Sequence, residues 1–375
     1  MSTIPTSYRQ LRARGLPSTP FDAWVSTELL DPKWDDYLRS IPTGQFQQSA
    51  LWAAYKASDG WKHYRVVLTH EGEIDGGFQI LWKKKGPVRV GYINKGPVCR
   101  SGKTETAALL KTLLAQSAQT LRLTLLIAQE PDETPIDANS PRGTGFIEAN
   151  PAHLIEATWL VDVSDGAEAV RARMSQRLKK HMQMASKAGV SIREGTVADL
   201  DRFFALMKAT CDRLGTTPNP PTPQALRRLW DLLTPTHTIR LTLAELNGTA
   251  IGGLLCIPWG NRYSLWKKGR DSNNPNTDGD KLLTAEALER AGASGYELAD
   301  YCSFSKSSAL KLRSDPNADF HSFSGNDQFK IRFGGYPKIL PSAQLYFPNP
   351  LLRALHRFFP EGCNKILSKL GKSAQ

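Results

Sequence analysis

One pattern occurs twice in this chain and limits its fold more than any other feature. A strand-like run from Tyr64 to Leu68 leads through the turn Glu71-Gly72-Glu73 into Gly76-Gly77-Phe78-Gln79-Ile80-Leu81. Further on, Ile239 to Leu246, the turn Asn247-Gly248 and Gly252-Gly253-Leu254-Leu255-Cys256-Ile257 repeat strand, turn and double-glycine strand. Each copy continues with a strand that ends in Lys-Gly, Tyr92 to Gly96 and Ser264 to Gly269. A helical stretch follows, Thr104 to Thr120 and Lys281 to Gly292, then a last strand, Leu123 to Ala128 and Tyr296 to Asp300. An ordered series of this kind marks a duplication. The paired glycines predict a bulge or a close backbone approach at the start of each returning strand. Helices alternating with antiparallel hairpins make the fold class α/β (α+β), as two units.

The 375 residues are 40% hydrophobic and 22% charged, enough for two cores of ordinary size. The repeat starts near Phe21, and residues 1–20, rich in Ser, Thr, Pro and Arg, read as a loose arm. Helical spacing runs from Asp31 to Ser40 and from Gln48 to Lys56. A link is expected near Asn150 to Thr158. Beyond it, Val161 to Ser164 reads as a strand ending in a helix cap, before one long helix from Ala167 to Ala188. The stretch Pro350 to Leu370 reads as a basic amphipathic helix or two.

Lys plus Arg number 48 against 36 Asp plus Glu, a formal charge of +12, so the surface field attracts polyanions such as nucleic acid, nucleotide-linked substrates or anionic lipid. The five cysteines, Cys99, Cys211, Cys256, Cys302 and Cys363, are scattered and never paired as C-x-x-C, which fits neither a disulfide framework nor a zinc site and suits a cytoplasm. Arg9, Arg12 and Arg14 precede no apolar block of signal length, and no apolar run approaches a membrane span.

On the long helix, Val170, Met174, Leu178, Met182 and Ala185 form an apolar stripe, while Arg171, Arg173, Arg177, Lys179, Lys180 and Lys187 take the other faces. Those cations are either a solvated face or a track for RNA phosphates. The stretch Gly96 to Thr104 imitates a phosphate loop, but five residues separate its glycines where the nucleotide loop needs four. Ser303-Phe-Ser-Lys306 imitates a β-lactam-recognising Ser-x-x-Lys without the accompanying Lys-Thr-Gly. The histidines, His63, His153, His181 and His321 among them, form no metal-ligand pair, and neither a G-x-S-x-G elbow nor a Cys-His pair is evident. Chemistry here would rest on positioning and electrostatics, with no resident cofactor or metal.

Four segments stand in an order that resembles the FemABX transferases: Phe46-Gln47-Gln48-Ser49 with Trp52 and Lys56; Lys95-Gly96-Pro97-Val98; Thr210 with Arg213; and Phe329-Lys330 with Phe333-Gly334-Gly335. The resemblance covers about Phe21 to Phe347. It implies two GNAT-like domains with a groove between them, residues 21–155 completed by 338–375, and 156–337. It implies an amide-forming aminoacyltransferase that takes an amino acid from aminoacyl-tRNA, a co-substrate and not a bound cofactor, to an amine of a UDP- or lipid-linked muropeptide. Such an enzyme would work in the cytoplasm, at the inner face of the membrane when its acceptor is lipid-linked.

By the matching segments, Lys56 and Arg213 would contact the acceptor's diphosphate, where charge-assisted contacts are strong. The plain alternatives are a surface lysine ending a helix and a salt-bridged arginine. Lys330 would be catalytic, its ammonium stabilising the oxyanion of the tetrahedral intermediate. Phe329 would stack the terminal adenine of the tRNA, with Arg173, Arg177 and Lys180 along its backbone. Alternatively Phe329 and Phe333 are core, with Lys330 pointing outward between them by strand alternation. That same alternation puts Trp266 and Lys268 on one face of a groove-lining strand. Asp300 lies at a strand end where the family continues with glycine and an apolar residue, whereas this chain continues Tyr301-Cys302, and Ser303 to Gln328 is longer and more polar than the family pattern, so the acceptor and the general base stay open.

Two other readings compete. An acyl-CoA-dependent N-acyltransferase would need a pyrophosphate-cradling loop, and neither Asp271 to Lys281 nor Ser101 to Thr106 has its glycines. A non-catalytic RNA- or membrane-binding module would need the basic helix alone. The C-terminal Leu351, Leu352, Leu355, Phe358 and Phe359 beside Arg353, Arg357, Lys365, Lys369 and Lys372 suit either packing on the first unit or an anionic leaflet.

Overall fold

The computed structural model describes residues 7–11, 20–100, 104–132, 145–148, 154–271 and 277–358. Most of the N-terminal arm, residues 101–103 of the phosphate-loop look-alike, residues 150–153 of the expected link with His153, residues 272–276 of the Asp271 to Lys281 stretch, and everything from Phe359 on, including Cys363, Lys365, Lys369 and Lys372, lie outside the described residues. The chain forms two compact units, Met1–Leu154 with Leu340–Gln375, and Ile155–Ile339.

In the first unit the strand order is Tyr8–Gln10, Phe21–Ser26, Lys62–His70, Glu73–Lys85, Val88–Asn94, Leu125–Gln129, Gln344–Tyr346 and Phe146–Glu148, with the short Val98–Cys99 also paired to Glu73–Lys85. The arm therefore is not loose throughout. Tyr8–Gln10 is an edge strand on Phe21–Ser26, held because Tyr8 is buried and its hydroxyl donates to Asp31 Oδ2 at 3.0 Å. In the second unit the order is Val190–Glu194, Arg240–Leu246, Thr249–Trp259, Arg262–Arg270, Leu298–Asp300, Ala157–Asp162 and Tyr336–Ile339.

The repeat is visible in the backbone. Both hairpins close in two residues, Glu71-Gly72 (φ 51 and 82) and Asn247-Gly248 (φ 50 and 74), the doubly positive pair that matches strand twist. Both returning strands bulge just before their glycines. Leu68 faces Gly76 and Thr69 faces Ile74, with Asp75 the extra residue between; Ala244 faces Gly252 and Glu245 faces Ala250, with Ile251 the extra residue. Val88–Asn94 pairs in parallel with Leu125–Gln129 and Arg262–Arg270 with Leu298–Asp300, so in each unit the helix lies within a crossover between parallel strands.

The second glycine of each pair also serves a close approach. A Cβ on Gly77 would lie 2.4 Å from the Val66 carbonyl oxygen, and one on Gly253 would lie 2.6 Å from Phe203 Cδ2. Helix Leu200–Leu214 reaches the sheet equally closely at Gly269, where a Cβ would be 2.6 Å from Met207 N. Helix Thr104–Thr120 buries Leu109, Leu110, Leu113 and Leu114 on the first sheet, and helix Gly279–Ala293 buries Leu282, Leu283 and Leu288 on the second. Each such side chain contributes about 1.5–3 kcal/mol.

The helix expected from Ala167 to Ala188 is two. Ala167–Arg173 ends where Met174 turns extended (ψ 143), and Gln176–Lys187 restarts under Ser175, whose Oγ accepts from Leu178 N. The Ser175 amide donates instead to Arg332 O. The stripe Val170, Met174, Leu178, Met182 and Ala185 is nevertheless all core. No helix among the described residues is long and apolar enough to cross a membrane.

Candidate functional site

In the first unit the Phe46-Gln47-Gln48-Ser49 segment repairs a gap in the sheet. Val88–Asn94 leaves the strand Glu73–Lys85 after Tyr92, and that edge is paired again only by Val98–Cys99, so the residues around Gln79 keep ladder partners on Lys62–His70 and lose them on this side. Gln48 fills the opening. Its Oε1 accepts from Gln79 N at 2.8 Å and its Nε2 donates to Asn94 O at 2.8 Å. Ser49 then caps helix Ala50–Ala57 by accepting from Trp52 N, and Asp35 accepts from the Ala50 amide at 2.6 Å.

A buried network fixes this arrangement from beneath. Arg65, wholly buried, donates to Asp31 Oδ2 at 3.2 Å and from Nη2 to Gln79 Oε1 at 2.7 Å, while Gln79 Nε2 donates to Ser49 O at 2.7 Å. The helix so held carries Lys56. This is not the surface lysine that a helix end suggests: Lys56 is only 2% exposed, with Nζ 5.2 Å from the Trp52 ring centre and 5.8 Å from that of Tyr55. Lys95 lies 3.9 Å from Asp132, which also accepts from Gln45.

In the second unit the Phe-Lys motif is helical, not extended. Ser324 caps helix Gly325–Ile331, and Lys330 is buried in its last turn, against the alternative that strand alternation turns it outward. Its Nζ donates to Ser303 O at 2.7 Å and lies 5.9 Å from the Phe304 ring centre. Burial pulls its pKa below the ordinary lysine value, with Asp327 the main opposing charge. Phe329 packs on Phe333 at 4.9 Å, and Lys268 Nζ stands 3.6 Å over the centre of its ring. Burial lowers Lys268 to about 8, with Asp280 opposing at 3.6 Å and Lys330 adding to the fall.

Lys268, Phe329 and Lys330 are thus brought together. Trp266 is not placed by simple alternation. Leu255 pairs with Lys267 and Cys256 with Leu265, so Trp266 is the extra residue of a bulge and the period of two breaks there, with Lys267 Nζ 4.8 Å from its ring centre. Arg213 is exposed in the last turn of Leu200–Leu214, a helix tied down where Thr210 Oγ1 accepts from Arg270 N at 2.9 Å. Arg173, Arg177 and Lys180 are exposed, and Arg173 pairs with Asp165 at 3.1 Å. Asp300 is taken up structurally by Arg262 at 2.9 Å and Cys302 N at 2.7 Å. Lys306, of the β-lactamase look-alike, pairs with Glu156 at 2.7 Å.

Sequence reasoning missed Asp280, which draws on both Lys268 and Arg270 at 3.6 and 3.8 Å from the first turn of helix Gly279–Ala293. Its signal was an acidic residue at a helix start. Asp278 stands just before it, accepting from His181 Nδ1 at 2.6 Å and from Lys281. Among the described residues no cluster of His, Cys, Asp or Glu could hold a metal ion.

Residues 29–139 match the family described as FemAB, and residues 170–308 match the acetyltransferase (GNAT) domain. A lipid II:glycine glycyltransferase of Staphylococcus aureus (strain COL) is 26% identical over 196 residues, 48% of this chain and 46% of that protein. Its counterpart in Staphylococcus haemolyticus (strain JCSC1435) is 27% identical over 199 residues, again 48% and 46%. The chain thus spans about half the length of the curated relatives it matches. A crystal structure of FemX shares the fold at a TM-score of 0.73 and 17% identity, over 86% of this chain and 96% of that one.

Proposed function

We infer from this chain's membership of the FemABX family, GNAT-like in fold, that it is an acyltransferase moving an amino acid from aminoacyl-tRNA to an amine of a peptidoglycan precursor. The acceptor is a muropeptide bearing a diphosphate, UDP- or lipid-linked, and the reaction belongs to the cytoplasm. The observation that carries this reading is the buried ammonium of Lys330, held by Ser303 O next to Phe329 and Lys268.

The chemistry follows from charge. When the acceptor amine attacks the ester carbonyl, the carbonyl oxygen becomes an oxyanion; the bond to the ribose oxygen then breaks and the proton shed by the amine ends on that oxygen. An ammonium fixed by one hydrogen bond keeps two donors for the oxyanion, and a partly dry surrounding strengthens their pull. Phe329 offers the terminal adenine one ring face, the other being taken by Lys268. Lys56, Arg213, Lys268 and Trp266 are assigned to the acceptor. Arg173, Arg177 and Lys180 are assigned to the tRNA backbone, where each neutralised phosphate releases counterions.

The GNAT match raises acyl-CoA as a rival donor. Against it stand Asp278 and Asp280 at the start of helix Gly279–Ala293, carboxylates where a pyrophosphate would seek amide donors. The test is transfer of radiolabelled amino acids from a charged tRNA pool to UDP-linked muropeptide. Native protein should label the acceptor, and Lys330→Ala should lose about a hundredfold or more in kcat with its thermal melt unchanged. Transfer from acetyl-CoA to added amines, with none from tRNA, would overturn the assignment.

A further inference from the structure

Helix Pro350–Phe358 has two faces, and the apolar one is turned outward. Inward, His356 is buried with its ring 5.2 Å from Phe347, and Arg353 donates to Phe347 O at 3.0 Å while lying 5.5 Å from the Tyr346 ring centre. The polar side chains thus do the packing. Outward, Leu351 is 77% exposed, Leu355 49% and Phe358 75%. Their spacing of four and three residues sets them in a single row along the helix. A soluble face of this kind is normally polar, and the reversal marks a surface that meets something apolar.

We propose that this face docks the first unit on an anionic bilayer, a function separate from the transfer chemistry. Charge identifies the occupant. Arg357 is exposed next to the row, and the sequence directly after Phe358 carries Lys365, Lys369 and Lys372 against the single acidic residue Glu361. Apolar side chains flanked by cations suit the boundary between acyl chains and anionic headgroups. Three side chains fall well short of the roughly 800 Å² per partner that a stable dimer buries, which argues against a second copy.

The test is flotation of the full chain with phosphatidylcholine vesicles, with and without phosphatidylglycerol. Binding should require phosphatidylglycerol and weaken with salt. The combined Leu351→Ser, Leu355→Ser and Phe358→Ser variant should lose about a thousandfold in vesicle affinity, since burying each large apolar group is worth about tenfold or more. An unchanged circular dichroism melt would establish that the variant folds. No binding to anionic vesicles, or equal binding by the variant, overturns the proposal, as does self-association without lipid that the variant abolishes. Flotation is read without turnover. A chain that floats but transfers nothing sinks the aminoacyl-transfer reading alone, and one that transfers to a soluble acceptor but never floats sinks this one alone.

Discussion

Replacing Asp31 with Asn tests whether the buried network under the first unit is what holds the Lys56 helix in place. Asn is nearly isosteric and can still accept at the cap of helix Pro32–Ser40, where Asp31 Oδ1 accepts from Trp34 N at 3.1 Å, but its amide nitrogen cannot accept from Tyr8, Ser26 and Arg65 as Oδ2 does. Arg65, 0% exposed, then loses its hydrogen-bonded counter-charge, with Asp35 the remaining carboxyl nearby. Breaking a buried pair on one side costs about 3–5 kcal/mol. Arg65 retains Gln79 Oε1 at 2.7 Å and Glu28 O at 3.0 Å, which places the loss near the low end, about 3 kcal/mol. For a unit of this size that corresponds to a fall of about 6–12 °C in melting temperature.

Urea unfolding followed by far-ultraviolet circular dichroism, read at constant m-value, measures it. Adding Arg65→Met should recover much of the loss, because an apolar residue needs no partner there. A loss below about 1 kcal/mol, or a double variant no better than the single one, would refute the idea that this charge pair anchors the segment.

Other expectations follow from neighbouring residues. Gly77→Ala should destabilise by about 2 kcal/mol or more, since its Cβ meets a backbone carbonyl at 2.4 Å, whereas Gly252→Ala, with nothing nearer than 3.7 Å, should be close to neutral; thermal melts of the two compare them directly. Burial lifts Asp35 from 3.8 to about 6, so its charged form weakens the fold at neutral pH and stability should rise as pH falls through about 6 toward 4. The gain is about 3 kcal/mol, and urea midpoints that move equally with pH in Asp35→Asn would dismiss it. Lys268, lowered to about 8, should lose its ammonium as pH rises through that value. Calorimetric binding of UDP-muropeptide should weaken over that range in the native chain but not in Lys268→Met.

The hairpins, the double glycines and the helix Thr104–Thr120 were legible because each is a local decision. A two-residue turn demands positive φ, and a strand that must bulge or be approached closely demands glycine. The helix break at Met174 was hidden for a physical reason. Val170, Met174 and Leu178 keep a spacing of four straight through it, so the period carries no trace of the interruption, and only the distant Arg332 carbonyl claims the Ser175 amide. Trp266 was misplaced because alternation assumes an unbroken ladder and its bulge comes from pairing with Thr249–Trp259. Lys56 and Lys330 could be singled out by motif, but the burial of Lys330 depends on a partner well away in sequence, Ser303, which no local pattern shows. Asp280 gave no signal beyond its place in a first turn, because its partners Lys268 and Arg270 lie on a different element, the strand Arg262–Arg270.

The strand Gln344–Tyr346 fits between Leu125–Gln129 and Phe146–Glu148, and the bond from Gln119 Nε2 to the Tyr346 hydroxyl spans 227 positions. On the ribosome, then, the first unit waits. The hydrogen-bonding edge of Leu125–Gln129 stays open while the whole of Ile155–Ile339 is made, and it closes only once the final strand emerges. A nascent chain in that interval exposes an apolar strand edge, the template on which other chains aggregate. Ribosome stalling beyond residue 129 but short of residue 344 should therefore release aggregation-prone products, and the synthesis of this protein should depend on factors that shield nascent chains.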